Sequence, residues 1–156
     1  MIDVMPRVAI VTGSKSDLPI LDACVETLRA LGIESEVHVM SAHRSPAKVS
    51  EFASSAAAKG FEVIIGAAGM AAHLPGVIAA QTELPVIGIP IAQAGGSGVS
   101  GFDSLLSIVQ MPPGIPVACM AVNGAKNAAL YAAAILALKH DKVRDALHAF
   151  REAQSA

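Results

Sequence analysis

The chain has 156 residues and a formal net charge of −2, with one Tyr, no Trp and no basic stripe. That balance argues against nucleic acid as a partner, because such binding rests on cationic patches and aromatic stacking platforms. Hydrophobic residues make up 53% and charged residues 15%, too little polar surface for a lone small globule, so part of the apolar surface is expected to be covered by other subunits.

In chain order, short β-rich runs alternate with longer amphipathic stretches, the pattern of βα units around a parallel sheet. Arg7–Thr12 reads as a first strand. Leu18, Leu21, Val25, Leu28 and Leu31 then recur at helical spacing up to the stop signal Gly32. A second strand is expected over Ser35–Met40. Ser45-Pro46 follows, an N-cap residue with proline at the first helical position, and opens a helix whose apolar face is Val49, Phe52, Ala53 and Ala56, ending at Gly60. The third strand is Glu62–Ala67. A helix beginning near Met70 and running to about Gln81 comes next, with Pro75 tolerated in a first turn or at a kink.

Pro85–Ile91 reads as the fourth strand, Gly95–Gly101 as a mobile glycine-rich loop and Asp103–Gln110 as a helix. A fifth strand, Ile115–Val122, leads through Asn123–Asn127 into a helix over Ala128–Lys139. That helix is so dense in alanine that its neighbour must approach closely, and with the low charged fraction it points to subunit contact. Asp141–Glu152 forms a last helix with Val143, Leu147 and Phe150 on one face. Cys24 and Cys119 lack a Cys-x-x-Cys spacing and a secretory context, so both read as core thiols of a reducing compartment. Met1–Pro6 shows no signal pattern, and Gly or Pro breaks every apolar stretch short of the ~20 residues a membrane span needs. The expectation is a cytoplasmic protein with no membrane partner, folded as one α/β domain over residues 1–156.

Three loops carry the chemistry, each directly after an expected strand. In an open parallel sheet such loops share a crevice where the strand order reverses. Gly13-Ser14-Lys15-Ser16-Asp17 offers backbone N–H groups at a helix start, which suits a phosphate; the alternative is that Ser16 or Asp17 only caps the helix. In Ser41-Ala42-His43-Arg44, a bidentate contact from Arg44 to phosphate or carboxylate accounts for a long cation that has no packing purpose. His43 is read as a general acid/base, against a loop histidine with a local hydrogen bond. The Gly66–Gly76 segment places small residues where a backbone approaches a ligand, and His73 within it either orients the loop or touches substrate. Asp17, His43 and His73 as a metal triad is the lesser reading, because no pair has i, i+4 ligand spacing and the glycine loops favour an anion. His38, His140 and His148 read as surface or helix-end residues.

With these motifs in place, the chain resembles the PurE family, the N5-carboxyaminoimidazole ribonucleotide mutases of purine biosynthesis. The carriers are Gly13–Asp17, Ser41–Arg44, Ala71-Ala72-His73-Leu74-Pro75-Gly76 and Asp103-Ser104-Leu105-Leu106-Ser107-Ile108-Val109-Gln110-Met111-Pro112. The resemblance implies a three-layer α/β/α, flavodoxin-like fold, a homo-octamer, a small ribonucleotide substrate, and neither metal nor organic cofactor. It implies that Ser14, Ser41 and Arg44 hold phosphate, Asp17 the ribose, and Ala68, Gly69 and Met70 the base and migrating carboxyl group. His73 and Leu74 would also line the substrate, and His43 would be catalytic.

Departures from the family pattern are Met70 where many members have Gly, a longer, glycine-rich Gln93–Gly101 loop, and a shorter Asn123–Asn127. The stretch Lys126–Leu130 resembles enzymes that carboxylate aminoimidazole ribonucleotide directly with carbon dioxide, but those tend to have Lys in place of Arg44 and to lack His73-Leu74-Pro75. A pyridinium mononucleotide carboxylase shares a glycine-rich loop near Gly95–Gly101 without accounting for Asp103–Pro112. A non-catalytic nucleotide-binding module would leave His43 without a task.

Overall fold

Val and Ile concentrate in residues 8–11, 63–65 and 86–91, and these runs become strands in the computed structural model, which describes residues 5–96 and 99–155. The strands β1 (Arg7–Thr12), β2 (Glu34–Val39), β3 (Val63–Gly69), β4 (Val86–Ile91) and β5 (Ala118–Cys119) form a parallel sheet in the order β2-β1-β3-β4-β5. The helices are α1 (Leu18–Ala30), α2 (Pro46–Ser55), α3 (Leu74–Ala79), α4 (Phe102–Val109), α5 (Ala125–Leu136) and α6 (Asp141–Gln154). Side chains alternate across the pleat. Val8 and Ile10 of β1 join a core with α1, α5 and α6, while Ala9 and Val11 join one with α2 and α3. Burying each large aliphatic side chain contributes about 1.5–3 kcal/mol, and both faces of the central strands do so. This is the expected three-layer, flavodoxin-like arrangement, with the order reversing at β1 and β3, where a ligand crevice opens.

Most expected boundaries fall within a residue or two of the observed ones. α3 is an exception, beginning at Leu74 and not near Met70. Residues 70–73 form tight turns in which Ala72 N donates to Met70 O and His73 N to Ala71 O, both at 2.8 Å, so Pro75 sits in the first turn, where its missing N–H does no harm. β5 is the second exception, with two residues in place of the expected Ile115–Val122. Pro90 of β4 accepts from Asn123 N at 2.8 Å but has no N–H to return, and Pro116 removes another donor, so the ladder stops at this edge. α5 begins at Ala125, three residues before the expected start.

The alanines of α5 need correction in their meaning. Ala125, Ala128, Ala129, Ala132 and Ala133 are buried within this chain, in the core shared with α1. Close helix approach is borne out, but the alanine face is consumed internally and carries nothing about subunit contact. His38 also differs from expectation. It packs on Phe52 with ring centroids 4.5 Å apart, and burial pushes its pKa down, with Glu36 opposing and Lys59 reinforcing the shift. His140 does sit at a helix start, where its Nε2 and Lys139 Nζ each lie 2.8 Å from the Glu62 carboxylate, joining the α5–α6 corner to the residue before β3. Cys24 is buried, which pushes its thiol up to about 12; Cys119 is half-buried at the sheet edge. Among the described residues, no helix is long and apolar enough to cross a membrane. Ser97 and Gly98 of the expected glycine loop, Met1–Val4 of the lead-in and Ala156 lie outside the described residues.

Gly66 and Gly88 are register partners on neighbouring strands. A Cβ on Gly88 would lie 2.5 Å from Ile108 Cγ2 and 3.0 Å from Val117 Cγ1, and one on Gly66 would lie 3.2 Å from Pro75. The pair makes room for α3 and α4 against the sheet. Gly88→Ala is therefore expected to destabilise the fold by about 1–3 kcal/mol, the usual range for overpacking. Chemical denaturation checks this, and an unchanged midpoint would mean that α4 can shift away at no cost.

Candidate active site

All three chemistry-bearing loops converge at the carboxyl ends of β1, β2 and β3, on a cavity of about 590 Å³. Ser14, Asp17, Ser41, His43, Arg44, Ala68, Gly69, Met70, His73 and Leu74, every site residue expected from sequence, line it. A larger groove of about 970 Å³ lies near the amino ends of β4 and β5, lined by Glu83, Pro85, Ile115 and Tyr131 among others, but it contains no His, Lys or Arg. The titratable and cationic side chains Asp17, His43, Arg44 and His73 of the three loops line the smaller cavity.

The first loop is a short 3-10 turn, Lys15–Asp17, capped by Ser14, whose Oγ accepts from Ser16 N at 3.3 Å. Asp17 precedes α1 without capping it. Asp17 as a residue is 5% exposed, and Thr12 Oγ1 donates to its Oδ2 at 2.7 Å while Gln93 Nε2 donates to Oδ1 at 2.7 Å. The capping alternative is thus removed for Asp17, and Ser14 takes that role for the 3-10 turn.

The second loop is held by its own serines. Ser41 N donates to Ser45 Oγ at 3.2 Å, Ser45 Oγ donates to Ser41 O at 3.0 Å, and Arg44 N donates to Ser41 Oγ at 3.2 Å. Ser45 therefore closes the loop and does not cap α2 with its side chain. Pinned this way, Arg44 reaches across and donates from Nη2 to Gly13 O at 2.6 Å, joining the first two loops. Its remaining N–H groups stay available, since a guanidinium carries five.

The third loop brings His73 to His43, with Nε2 of His43 and Nδ1 of His73 at 2.8 Å and the rings edge-to-face at 89°. Two imidazole nitrogens at this distance share a proton, one donating while the other accepts. Met70 holds a left-handed backbone, φ 54°, the conformation glycine adopts freely and a long side chain adopts at a cost. The glycines of this segment also have a packing role, and Gly69 lines the cavity as well. Gly66 clears Pro75, and a Cβ on Gly69 would lie 3.1 Å from Ile91 O and one on Gly76 3.0 Å from Met111 Sδ. Leu74 is buried in the α2–α3 core and forms part of the crevice floor.

Asp17, His43 and His73 do not assemble as a triad. The carboxylate faces Thr12 and Gln93 while the histidines face each other, and no group of three His, Cys, Asp or Glu among the described residues is arranged to hold a metal ion. Two residues escaped the sequence reading. Gln93 binds Asp17 from the far side of the crevice. Asn123 pairs both ends of its amide with the backbone of Ala92, at 2.9 and 2.8 Å. The position of Gln93 just beyond a strand's carboxyl end was a usable signal; Asn123 acts through a tertiary pairing with none.

Residues 7–156 match the sequence profile of the family described as AIR carboxylase. The chain is 51% identical over 148 residues to the N5-carboxyaminoimidazole ribonucleotide mutase of Pyrococcus abyssi, covering 95% of this chain and 83% of that one. Against the protein of the same name from Escherichia coli it is 51% identical over 151 residues, covering 96% and 88%. Among solved structures, Treponema denticola PurE superposes with a TM-score of 0.84 at 27% identity, covering 96% of this chain and 92% of that one. On family profile, sequence identity and fold together, the chain belongs to the AIR carboxylase family.

Proposed function

We infer that this protein is an N5-carboxyaminoimidazole ribonucleotide mutase, moving a carboxyl group from the exocyclic nitrogen of its substrate to a ring carbon. The observation that carries this reading is the His43–His73 pair at 2.8 Å in the same cavity as the Arg44 guanidinium and the serine loops. Ser14, Ser41 and Arg44 surround one end of that cavity with hydroxyls, backbone N–H groups and a fixed cation, a set matched to a phosphate. Asp17 then takes the ribose, and the Ala68–Met70 backbone the base and migrating carboxyl group.

In the reaction, protonated His43 gives its proton to the exocyclic nitrogen as the N–C bond breaks and carbon dioxide departs. The ring carbon attacks carbon dioxide, forming the new C–C bond. Neutral His43 then removes the proton on that carbon, so the ring regains aromaticity and the histidine its starting charge. No net proton is consumed. His73 is placed to orient His43 and to fix which nitrogen bears the hydrogen. A closed cavity suits this chemistry, because carbon dioxide lost to solvent ends the turnover. The test is incubation with each of the two ribonucleotides, with and without bicarbonate. Consumption of the N-carboxylated substrate without bicarbonate is expected; product formed from aminoimidazole ribonucleotide and bicarbonate alone would assign a direct carboxylase, and no product from either a binding module.

A strong chelator is expected to leave activity intact, because the donors of Asp17, His43 and His73 are committed elsewhere. Activity lost to the chelator and restored by a divalent ion would reverse that reading.

Assembly as a cytoplasmic homo-octamer belongs to the same reading. Support comes from α4 and its approach, where Phe102 is 60% exposed, Val109 52% and Leu106 38%, beside Met70 at the cavity rim. Contiguous apolar surface of this kind marks association. Light scattering at micromolar concentration is expected to give eight copies, and a monomer would contradict the surface argument.

A further inference from the structure

Gln93 sits two residues beyond β4, and its position is built from an anchor. Asn123 adopts φ 57° and turns its amide onto Ala92, with Oδ1 accepting from Ala92 N at 2.9 Å and Nδ2 donating to Ala92 O at 2.8 Å. Those two bonds continue the pairing that β5 abandons and fix the residue immediately before Gln93. From there Gln93 Nε2 crosses the crevice and donates to Ser16 Oγ at 2.8 Å and to Asp17 Oδ1 at 2.7 Å. Thr12 Oγ1 holds the other carboxylate oxygen at 2.7 Å.

A buried carboxylate needs donors, but the hydroxyls of Thr12, at the end of β1, and Ser16 supply contacts without Gln93, at 2.7 Å to Oδ2 and 3.4 Å to Oδ1. What Gln93 adds is direction. With a 2.7 Å donor on each oxygen, Thr12 on Oδ2 and Gln93 on Oδ1, the carboxylate plane is locked, and the acceptor sites that remain have a set orientation. A locked acceptor discriminates hydroxyl-bearing ligands from those lacking the hydroxyl far better than a mobile one, because the site's polar group is left unpaired by the wrong ligand.

We propose that Gln93 is a positioning residue that locks the Asp17 carboxylate for a sugar hydroxyl, so that the Gln93–Asp17 pair selects a ribonucleotide over a deoxyribonucleotide. This rests on the reading of Asp17 as the ribose contact. Gln93 acts through Asp17 and takes no part in proton transfer.

The experiment compares wild type with Gln93→Met, which keeps side-chain length and loses the donors, using the ribonucleotide and its 2′-deoxy and 3′-deoxy analogues. In wild type, at least one analogue should raise KM about tenfold, the usual worth of a well-made hydrogen bond. In Gln93→Met, KM for the ribonucleotide should rise by about tenfold with kcat within about twofold, and the penalty for the missing hydroxyl should shrink to about twofold or less. Gln93→Asn, with its amide one methylene short, serves where the first variant fails to fold and should show the same collapse of the penalty. An undiminished hydroxyl penalty in the variants overturns the role of Gln93 whatever KM does, and leaves Asp17 as the ribose contact standing. No hydroxyl penalty in wild type overturns both.

Discussion

His43→Asn is expected to lose at least about 100-fold in turnover, the low end of what a positioned general acid/base contributes, while keeping its fold and its affinity for substrate. An amide replaces the hydrogen bond that His43 Nε2 makes with His73 Nδ1 at 2.8 Å, but it cannot accept and return a proton near neutral pH. The position is exposed and belongs to neither core cluster, so a stability penalty is not expected. Thermal melting, ligand titration and single-turnover kinetics separate the three properties. A variant retaining more than about a tenth of wild-type activity would remove proton transfer from His43, since that loss is smaller than general acid/base catalysis normally supplies.

Arg44→Ala should raise KM by about 10- to 100-fold, as expected for loss of a charge-assisted hydrogen bond, with a smaller effect on turnover of the bound substrate. A phosphate lies far from the reacting carbon, so its contacts are made equally in ground and transition states. The same guanidinium holds Gly13 O at 2.6 Å, and its loss also loosens the first loop. Arg44→Lys restores the charge without the fork and should recover only part of the affinity. Unchanged KM with collapsed turnover would move Arg44 into the chemical step.

The parts of this molecule written in local pattern were legible from the chain. Alternating Val and Ile runs, the Ser45-Pro46 start and the Gly32 stop put strands and helices close to where they occur, and loops that follow strands had to meet at one sheet end; the Gly60 stop was less exact, since α2 ends at Ser55 and residues 56–60 form turns. Tertiary pairings were not legible. Gly66 and Gly88 serve Pro75 and Ile108 across the sheet, so reading the third loop's glycines as ligand clearance missed their packing role. The alanines of α5 answered to α1. β5 shortened at its end because Pro90 on the adjacent strand lacks a donor, which residues 115–122 do not reveal, although Pro116 among them does signal a late start. Asn123 was silent for the same reason, its partner Ala92 lying 31 residues away, and the place of Gln93 just beyond β4 marked it for the crevice without naming its partner Asp17, 76 residues away.

The carboxyl group is expected to leave nitrogen and reach carbon without quitting the one cavity. The direct measurement supplies N5-carboxyaminoimidazole ribonucleotide labelled with carbon-13 in its carboxyl group, in buffer holding excess unlabelled bicarbonate, and follows the label by mass spectrometry of the product. Transfer inside the cavity predicts product that keeps most of the label on the ring carboxyl group. Product carrying unlabelled carbon would show that carbon dioxide comes from solvent and would contradict the mutase reading.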